Sequence, residues 1–427
     1  MPAFPFSYSL VGSCAAVVLC GVSASAAPTI TNLGVLSEVP APHYSYTGGI
    51  SADGLVVVGS SSAADGARAF RWTAIGGMQN LGVLAGSNHS GAAAASADGS
   101  VIAGVSYVSG GLDRAFRWTS ANGLQNLGVL GTGSASAANA INADGSTIAG
   151  FSYSLGISIP RAFRWTDATG MQSLGTIAGG TFSNGFGISG DGTIVTGVSN
   201  IAGGLTHAFR WTAGGGMQDL GVVVASANAQ SEGLAISANG QVITGDSGDA
   251  LDETFRAFRW TDATGMQDLG VLGDDLRSMA YGINNDGSAI VGTSSSATSD
   301  RAFLWSSSLC IVDLNSYFSM LGVDLTGWVL VEARGLSADG TAIAGYGRFN
   351  GEDRAWIVTG LPLRCNGDIN HDGFVDDADF SLFVGAYNEL LCSVTPVCCP
   401  ADLNVDGLVD DADFSIFVVG YNELVCP

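Results

Sequence analysis

Two stretches near the C-terminus place oxygen-bearing side chains at alternate positions. Asp368, Asn370, Asp372, Asp376 and Asp379 recur 34 positions later as Asp402, Asn404, Asp406, Asp410 and Asp413. Counted from the first Asp, these are positions 1, 3, 5, 9 and 12 of a twelve-residue loop. The carbonyls of Phe374 and Leu408 fall at position 7, and Gly373 and Gly407 fall at position 6, where the chain must turn sharply. Carboxylate, amide and carbonyl oxygens converging from such a loop suit a hard cation, so the spacing predicts two Ca2+ sites. Asp376 and Asp410 would bind directly or through water. Without a cation, the carboxylates crowded into each loop would repel one another.

Elements that could hold these loops are visible on either side. Each loop runs into a helical segment, carrying Phe380 and Phe383 in the first copy and Phe414 and Phe417 in the second. The tails match as well: Tyr387-Asn-Glu-Leu-Leu-Cys392 corresponds to Tyr421-Asn-Glu-Leu-Val-Cys426. Residues 365–427 therefore read as a small α-helical calcium-binding domain, joined by a short linker, 361–364, to what precedes it. So small a unit has little core, and disulfides would supplement it. Two pairings respect the internal symmetry: 365–392 with 399–426, or 365–426 with 392–399. Cys310 and Cys398 are left over and would be free to join the two domains.

Elsewhere the composition is more useful for what it excludes. All 15 basic residues are Arg, so lysine chemistry, including Schiff bases and the P-loop lysine, is ruled out. A net charge of −23 makes nucleic acid and anionic membrane surfaces poor partners. The four His (43, 89, 207, 371) are far apart and suggest no cluster. Gly245-Asp246-Ser247-Gly248 mimics a serine nucleophile loop, but no His–Asp partner pattern accompanies it.

Residues 27–360 are dominated by internal repetition. Arg-Ala-Phe-Arg-Trp-Thr occurs at 68–73, 114–119, 161–166 and 256–261, with variants starting at His207, Arg301 and Arg354. An Asx-Gly pair recurs at Asp53, Asp98, Asp144, Asp191, Asn239, Asp286 and Asp339. A Leu before Gly or Asn recurs at 33, 81, 127, 174, 220, 269 and 314. Each unit reads as four short strands, with Asx-Gly as the tight turn of a hairpin. Seven such units predict an all-β seven-bladed β-propeller. In this phasing the first strand, 29–36, has no predecessor and the last, 354–359, has no successor, so the two should pair and shut the ring. A residue repeated in every blade is structural on this reading. Arg71 and its equivalents 117, 164, 210 and 259, each followed by Trp, should stack or pair within the blade interface; the functional alternative is a ring of Arg binding acidic sugars at the propeller face. The irregular segments are better candidates for binding: the acidic connection 246–255 (Asp246, Asp249, Asp252, Glu253) and the insertion 315–330 with Tyr317, Phe318 and Trp328. The aromatics of that insertion would either grip a ligand or tuck over a blade edge.

The repeat resembles the bacterial extracellular HAF family, whose namesake triplet is His207-Ala208-Phe209. The other blades mostly carry Arg in place of that His. The resemblance implies export. Residues 1–26 fit a signal peptide, with an apolar stretch from Leu10 to Val22 before Ala24-Ser25-Ala26, although no basic residue precedes it. No other apolar run is long enough to span a bilayer, so the mature chain is expected to have no membrane insertion. The C-terminal loops are EF-hand-like, but Asp at position 12, a single following helix and tandem arrangement resemble a dockerin. That resemblance implies attachment to a cohesin-like or surface partner. Dockerins often read partners through hydroxylic residues at positions 10 and 11, where this chain has Asp377-Ala378 and Asp411-Ala412. The expected protein is secreted or on the cell surface and non-catalytic. The propeller would serve as a recognition scaffold for a glycan or another ligand, and the module as a plug. The alternatives are a polysaccharide-degrading glycoside hydrolase, which needs a unique carboxylate pair, and a structural envelope protein.

Overall fold

The computed structural model describes residues 27–37, 43–107, 112–153, 159–252 and 254–362. In the C-terminal part it describes 367, 369, 375–389, 401–403 and 408–423. The signal segment, all the cysteines except Cys310, and half of the predicted calcium ligands (Asp368, Asn370, Asp372, Phe374, Asn404, Asp406) lie outside these residues.

Seven four-stranded antiparallel sheets make a seven-bladed β-propeller. Blade 1 comprises Ser45–Ile50, Val57–Ser61, Arg68–Thr73 and Gly77–Asn80, in that order from the axis outwards. Blades 2 to 6 repeat this order. Blade 7 takes Trp328–Leu336, Ala342–Phe349 and Glu352–Thr359 from the end of the domain, and its outermost strand, Thr29–Asn32, from the beginning. Thr29 pairs with Thr359 and Asn32 with Trp356, which is the closure the repeat phasing predicts.

The Arg-Ala-Phe-Arg-Trp strand explains how blades adhere. Alternation sends Ala to one face of the sheet and Phe and Trp to the other. Ala69 of blade 1 packs with Phe116 and Trp118 of blade 2, and Ala115 with Phe163 and Trp165 of blade 3; the pattern runs round to Ala355 of blade 7 against Phe70 and Trp72 of blade 1. All six of these Phe are fully buried, as is Trp356, which replaces Phe in blade 7. Each buried aromatic contributes about 1.5–3 kcal/mol.

Three of the repeated arginines are staples between blades, whereas Arg259 is buried with its Nε and Nη1 unpartnered among the described residues. Arg71, Arg117 and Arg164 donate from Nε to the carbonyls of Gly99, Gly145 and Gly192, the turn glycines of the next blade, at 2.9–3.1 Å. The first Arg of the string works at the opposite end of the strand. Arg68, Arg114 and Arg354 donate from Nη1 to Asn88, Ser134 and His43 of the next blade at 2.8–2.9 Å. Arg161 bonds Thr181 in the same way. Arg117→Met is expected to cost about 1–2 kcal/mol, since a charged donor to a backbone acceptor is lost. A melting temperature unchanged from that of the parent would remove the staple role.

The Asx-Gly turns are closed by their own side chains. In blade 2, Ser96 Oγ donates to Asp98 Oδ1, which also accepts from the Ser100 N–H, and Gly99 adopts φ +63°. The bonds from Ser100 and Ser96 hold the Asp98 carboxyl down to about 2.

Candidate functional site

The innermost strands carry an irregularity that period-two counting does not reveal. In every blade the register slips by one residue, leaving a bulge: between Thr47 and Gly49 in blade 1, between Ala138 and Ala140 in blade 3, between Ala333 and Gly335 in blade 7. The residues left unpaired at this common level are Gly48, Ala93, Asn139, Phe186, Leu234, Tyr281 and Arg334, and blade 7 has a second slip, at Val331. All seven line the central channel. A bulge re-aims one side chain without breaking the ladder around it, and here it presents one residue per blade at a common level.

This ring separates two chambers. On one side the walls are small residues followed by aliphatics, including Ile141, Ile188, Ile236 and Ile283, around about 240 Å³. The small residues let the inner strands converge: a Cβ on Gly282 would lie 2.7 Å from the Cα of Gly335 in the neighbouring blade. On the other side a wider mouth of about 470 Å³ opens over blades 1 to 3, where Ser60, Gly91, Ala92 and Val105 leave room.

Ionisable groups gather on blades 5 to 7 and 1. Arg334 lies over the ring of Tyr281, 4.2 Å from its centroid, and its Nε is ion-paired with Glu332. Burial raises the Glu332 carboxyl, and Arg334 partly offsets the effect. Tyr346, the cross-strand partner of Glu332, meets Tyr46 edge-on at 5.1 Å, and the Tyr46 hydroxyl donates to Asp353 at 2.7 Å. In blade 5, Glu232 and Asp246 stand opposite each other across two strands. Burial, with Glu232 adding to it, pushes the Asp246 carboxyl up to about 8. Burial also raises Glu232 and Tyr281, and both Glu332 and Asp246 add to the effect on Tyr281. Like charges directly opposed in a sheet are destabilising, so this pair is held by its surroundings in the protonated direction.

One sequence expectation changes, and of the two readings of the insertion the structure bears out the tucked one. Asp246 does not belong to a blade connection: it sits inside the strand Ile243–Asp249 and is buried, while Asp249 and Asp252 border a separate surface hollow. The insertion after Leu314 is packed against its blade. It forms the helix Leu314–Met320, whose Phe318 is fully buried edge-on to Trp356, and Trp328 rests on Phe349 with centroids 5.0 Å apart. Ser247 is structural, as expected. Its hydroxyl bonds the Gln230 carbonyl and accepts from Val223 N–H, as Ser199 does with Phe182 and Ile177 in blade 4.

The channel residues escaped sequence reading because their strands are poor in landmarks. They were recoverable in principle by aligning the seven units and asking where chemistry replaces Gly, Ala or Val. At the level of Glu232 the other blades have Tyr46, Gly91, Ala137, Asn184, Met279 and Glu332; at the level of Asp246 they have Ser60, Val105, Phe151, Val198, Thr293 and Tyr346.

In the C-terminal part, the helices Asp377–Glu389 and Asp411–Glu423 pack through Phe383 and Phe417, stacked at 5.1 Å. Two reciprocal bonds tie the halves: Tyr387 to Asp411 and Tyr421 to Asp377, both 2.6 Å. Asp379, Asp402 and Asp413 are buried; Asp376 and Asp410 lie nearer the surface. Asp379 accepts from the N–H groups of Ile369 and Asp376, and Asp413 accepts from that of Asp410. Both position-12 carboxylates thus turn inward. Leu408 is partly exposed. Among the described residues no three His, Cys, Asp or Glu side chains converge, and no helix is long and apolar enough to cross a membrane. Cys310 is disulfide-bonded.

No known protein family and no curated protein matches the chain. Solved structures do match in shape. An oligogalacturonate lyase from Vibrio parahaemolyticus aligns with a TM-score of 0.50 and 11% identity, over 77% of this chain and 93% of that one. TolB from Acinetobacter baumannii aligns with a TM-score of 0.42 and 13% identity, over 60% of this chain and 62% of that one. A putative TolB from Agrobacterium tumefaciens gives 0.39 and 14%, over 62% and 88%. At 11% identity the likeness to the lyase bears on the fold alone; the seven blades and the few helices after them are those described above.

Proposed function

We propose that this is an exported, non-catalytic recognition protein of the HAF-repeat kind. The propeller binds a ligand at the wide mouth of its channel, and a dockerin-like module carrying two Ca2+ attaches it to a protein partner. The observation that carries the recognition half is the bulge ring. Within a frame repeated seven times, the one unpaired position differs in every blade and faces a single cavity. Repetition serves the scaffold, whereas difference serves a ligand that exists once.

The attachment half rests on the duplicated loops. Asp379, Asp402 and Asp413, at positions 12, 1 and 12 of those loops, are buried, as oxygen ligands turned toward an enclosed cation would be. Asp368, Asn370, Asp372, Phe374, Asp376 and Asp379 would hold the first ion, and Asn404, Asp406, Leu408 and Asp410 would join Asp402 and Asp413 around the second. Asp377 and Asp411, at the positions where dockerins often read partners, are tied to Tyr421 and Tyr387. Phe380, Leu382, Phe414 and Val419 are exposed on the helices and would supply an apolar contact instead. Chelating calcium in the full chain is expected to melt the C-terminal helices and spare the propeller. At free calcium a hundredfold above Kd, each site contributes about 2.7 kcal/mol. Titration calorimetry without heat from Ca2+ would remove the attachment half, and a glycan array bound nowhere would remove the expected carbohydrate ligand.

A second reading, a polysaccharide-degrading enzyme, draws on Glu232 and Asp246 near Tyr281 and Arg334, a constellation that occurs once. Release of sugar from polysaccharide, abolished by Asp246→Asn, would favour it.

A further inference from the structure

The channel mouth carries one strong cation and several unspent hydrogen-bonding groups. Among the described residues Arg334 is the only basic residue lining either chamber. Glu332 occupies its Nε edge and Tyr281 lies beneath its plane, which fixes the guanidinium, while its two terminal nitrogens have no partner among the described residues. Such an edge matches the two oxygens of a carboxylate in fork geometry. Around the same cavity, the Ser60 and Tyr107 hydroxyls make no hydrogen bond to the described residues. The Asn139 amide nitrogen donates to the Gly185 carbonyl at 2.8 Å, leaving its oxygen to accept. Tyr46 and Phe186 add aromatic surface to the same walls. A cavity of about 470 Å³ exceeds what a lone small anion would fill.

A ligand suited to this surface has one carboxylate, several hydroxyls and apolar ring faces. We propose that the mouth binds a carboxylate-bearing sugar, with Arg334 clasping the carboxylate and Asn139, Ser60 and Tyr107 reading hydroxyls. This rests on the recognition reading given above. It also assigns a task to the single Arg in a channel that, in a chain of net charge −23, would otherwise repel such a ligand.

The test is titration calorimetry of the full chain in calcium buffer with methyl β-glucuronide, a single uronate, and with its methyl ester, which keeps the shape and loses the one charge. The free acid should bind, and the ester should bind about tenfold or more weakly, the loss of one charged hydrogen-bonded pair. Arg334→Met should bring the acid to the level of the ester, and Arg334→Lys should lose most of the preference because it lacks the fork. Glu332→Gln keeps an acceptor for Nε but removes a competing charge, so it should tighten acid binding several-fold. If Arg334 merely served Glu332, that variant would instead leave acid binding unchanged. Equal affinity for acid and ester overturns the proposal while leaving the recognition reading in place. Binding of neither also overturns it, and the recognition reading is then judged by the array.

Discussion

Leu33→Asp should lower the melting temperature of the propeller by about 6 °C or more. Leu33 is buried with Phe70 and Trp72 of blade 1 and Ile357 of blade 7, and its N–H bonds the Ala355 carbonyl at 3.0 Å. Leu33 directly follows the short strand Thr29–Asn32 that completes blade 7. An unpaired charge there costs roughly 4 kcal/mol or more, because the side chains it would meet are apolar, and each kcal/mol shifts the melting point of a domain this large by about 1.5 °C. The pairing of the first strand also closes a loop over nearly the whole domain, so it carries the largest closure entropy in the ring. Thermal melts followed by near-ultraviolet circular dichroism measure the change. A variant that melts with the parent would mean that the ring does not depend on this strand.

Asp246→Asn should act in the opposite direction, and only at higher pH. The Asp246 carboxyl is raised to about 8 in the folded chain, against an ordinary value near 3.9 when unfolded. Between those values the folded state holds a proton that the unfolded state has released, so stability falls as pH rises through the window. Asn needs no proton and removes that slope. The variant should match the parent near pH 4 and exceed it by about 2 kcal/mol or more at pH 8, since each unit between the two values corresponds to about 1.4 kcal/mol. Melts at pH 4.5, 6 and 8 are sufficient. A variant less stable than the parent at every pH would show that Asp246 is ionised in the fold and held by a cation beside Glu232.

Both expectations depend on how much of this molecule its sequence discloses. The landmarks of the third strand, Ala, Phe and Trp, can be read because the same interface is built seven times under the same constraint. The turn glycines can be read because only they tolerate the positive φ needed at the hairpin tip. From those two signals came the blade count, the hairpin phasing and the closing pair Thr29–Thr359. The channel was hidden for a specific reason. The bulge after Thr47, and its counterpart in each blade, reverses the alternation midway along the inner strand, so counting by twos puts Arg334 and Tyr281 on the wrong face. Asp246 was read as part of a connection because acidic residues follow it at 249 and 252, although its strand continues to Asp249. The Phe318 helix was obscured by an insertion too short to show a helical period. The oxygen pattern of residues 368–379 and 402–413, by contrast, is entirely local and is legible without any fold; the structure adds that Asp379 and Asp413 are buried.

The bulge ring has a consequence for how such a chain can change over generations. Because each ring residue is excused from cross-strand pairing, a codon there can be rewritten with little disturbance to the ladder beneath it, except at Gly48, where a Cβ would lie 2.1 Å from the Ala92 carbonyl oxygen. The other six positions act like separately adjustable dials around one keyhole. Drift in a single blade could retune the chemistry at the axis while the other six keep the wheel intact.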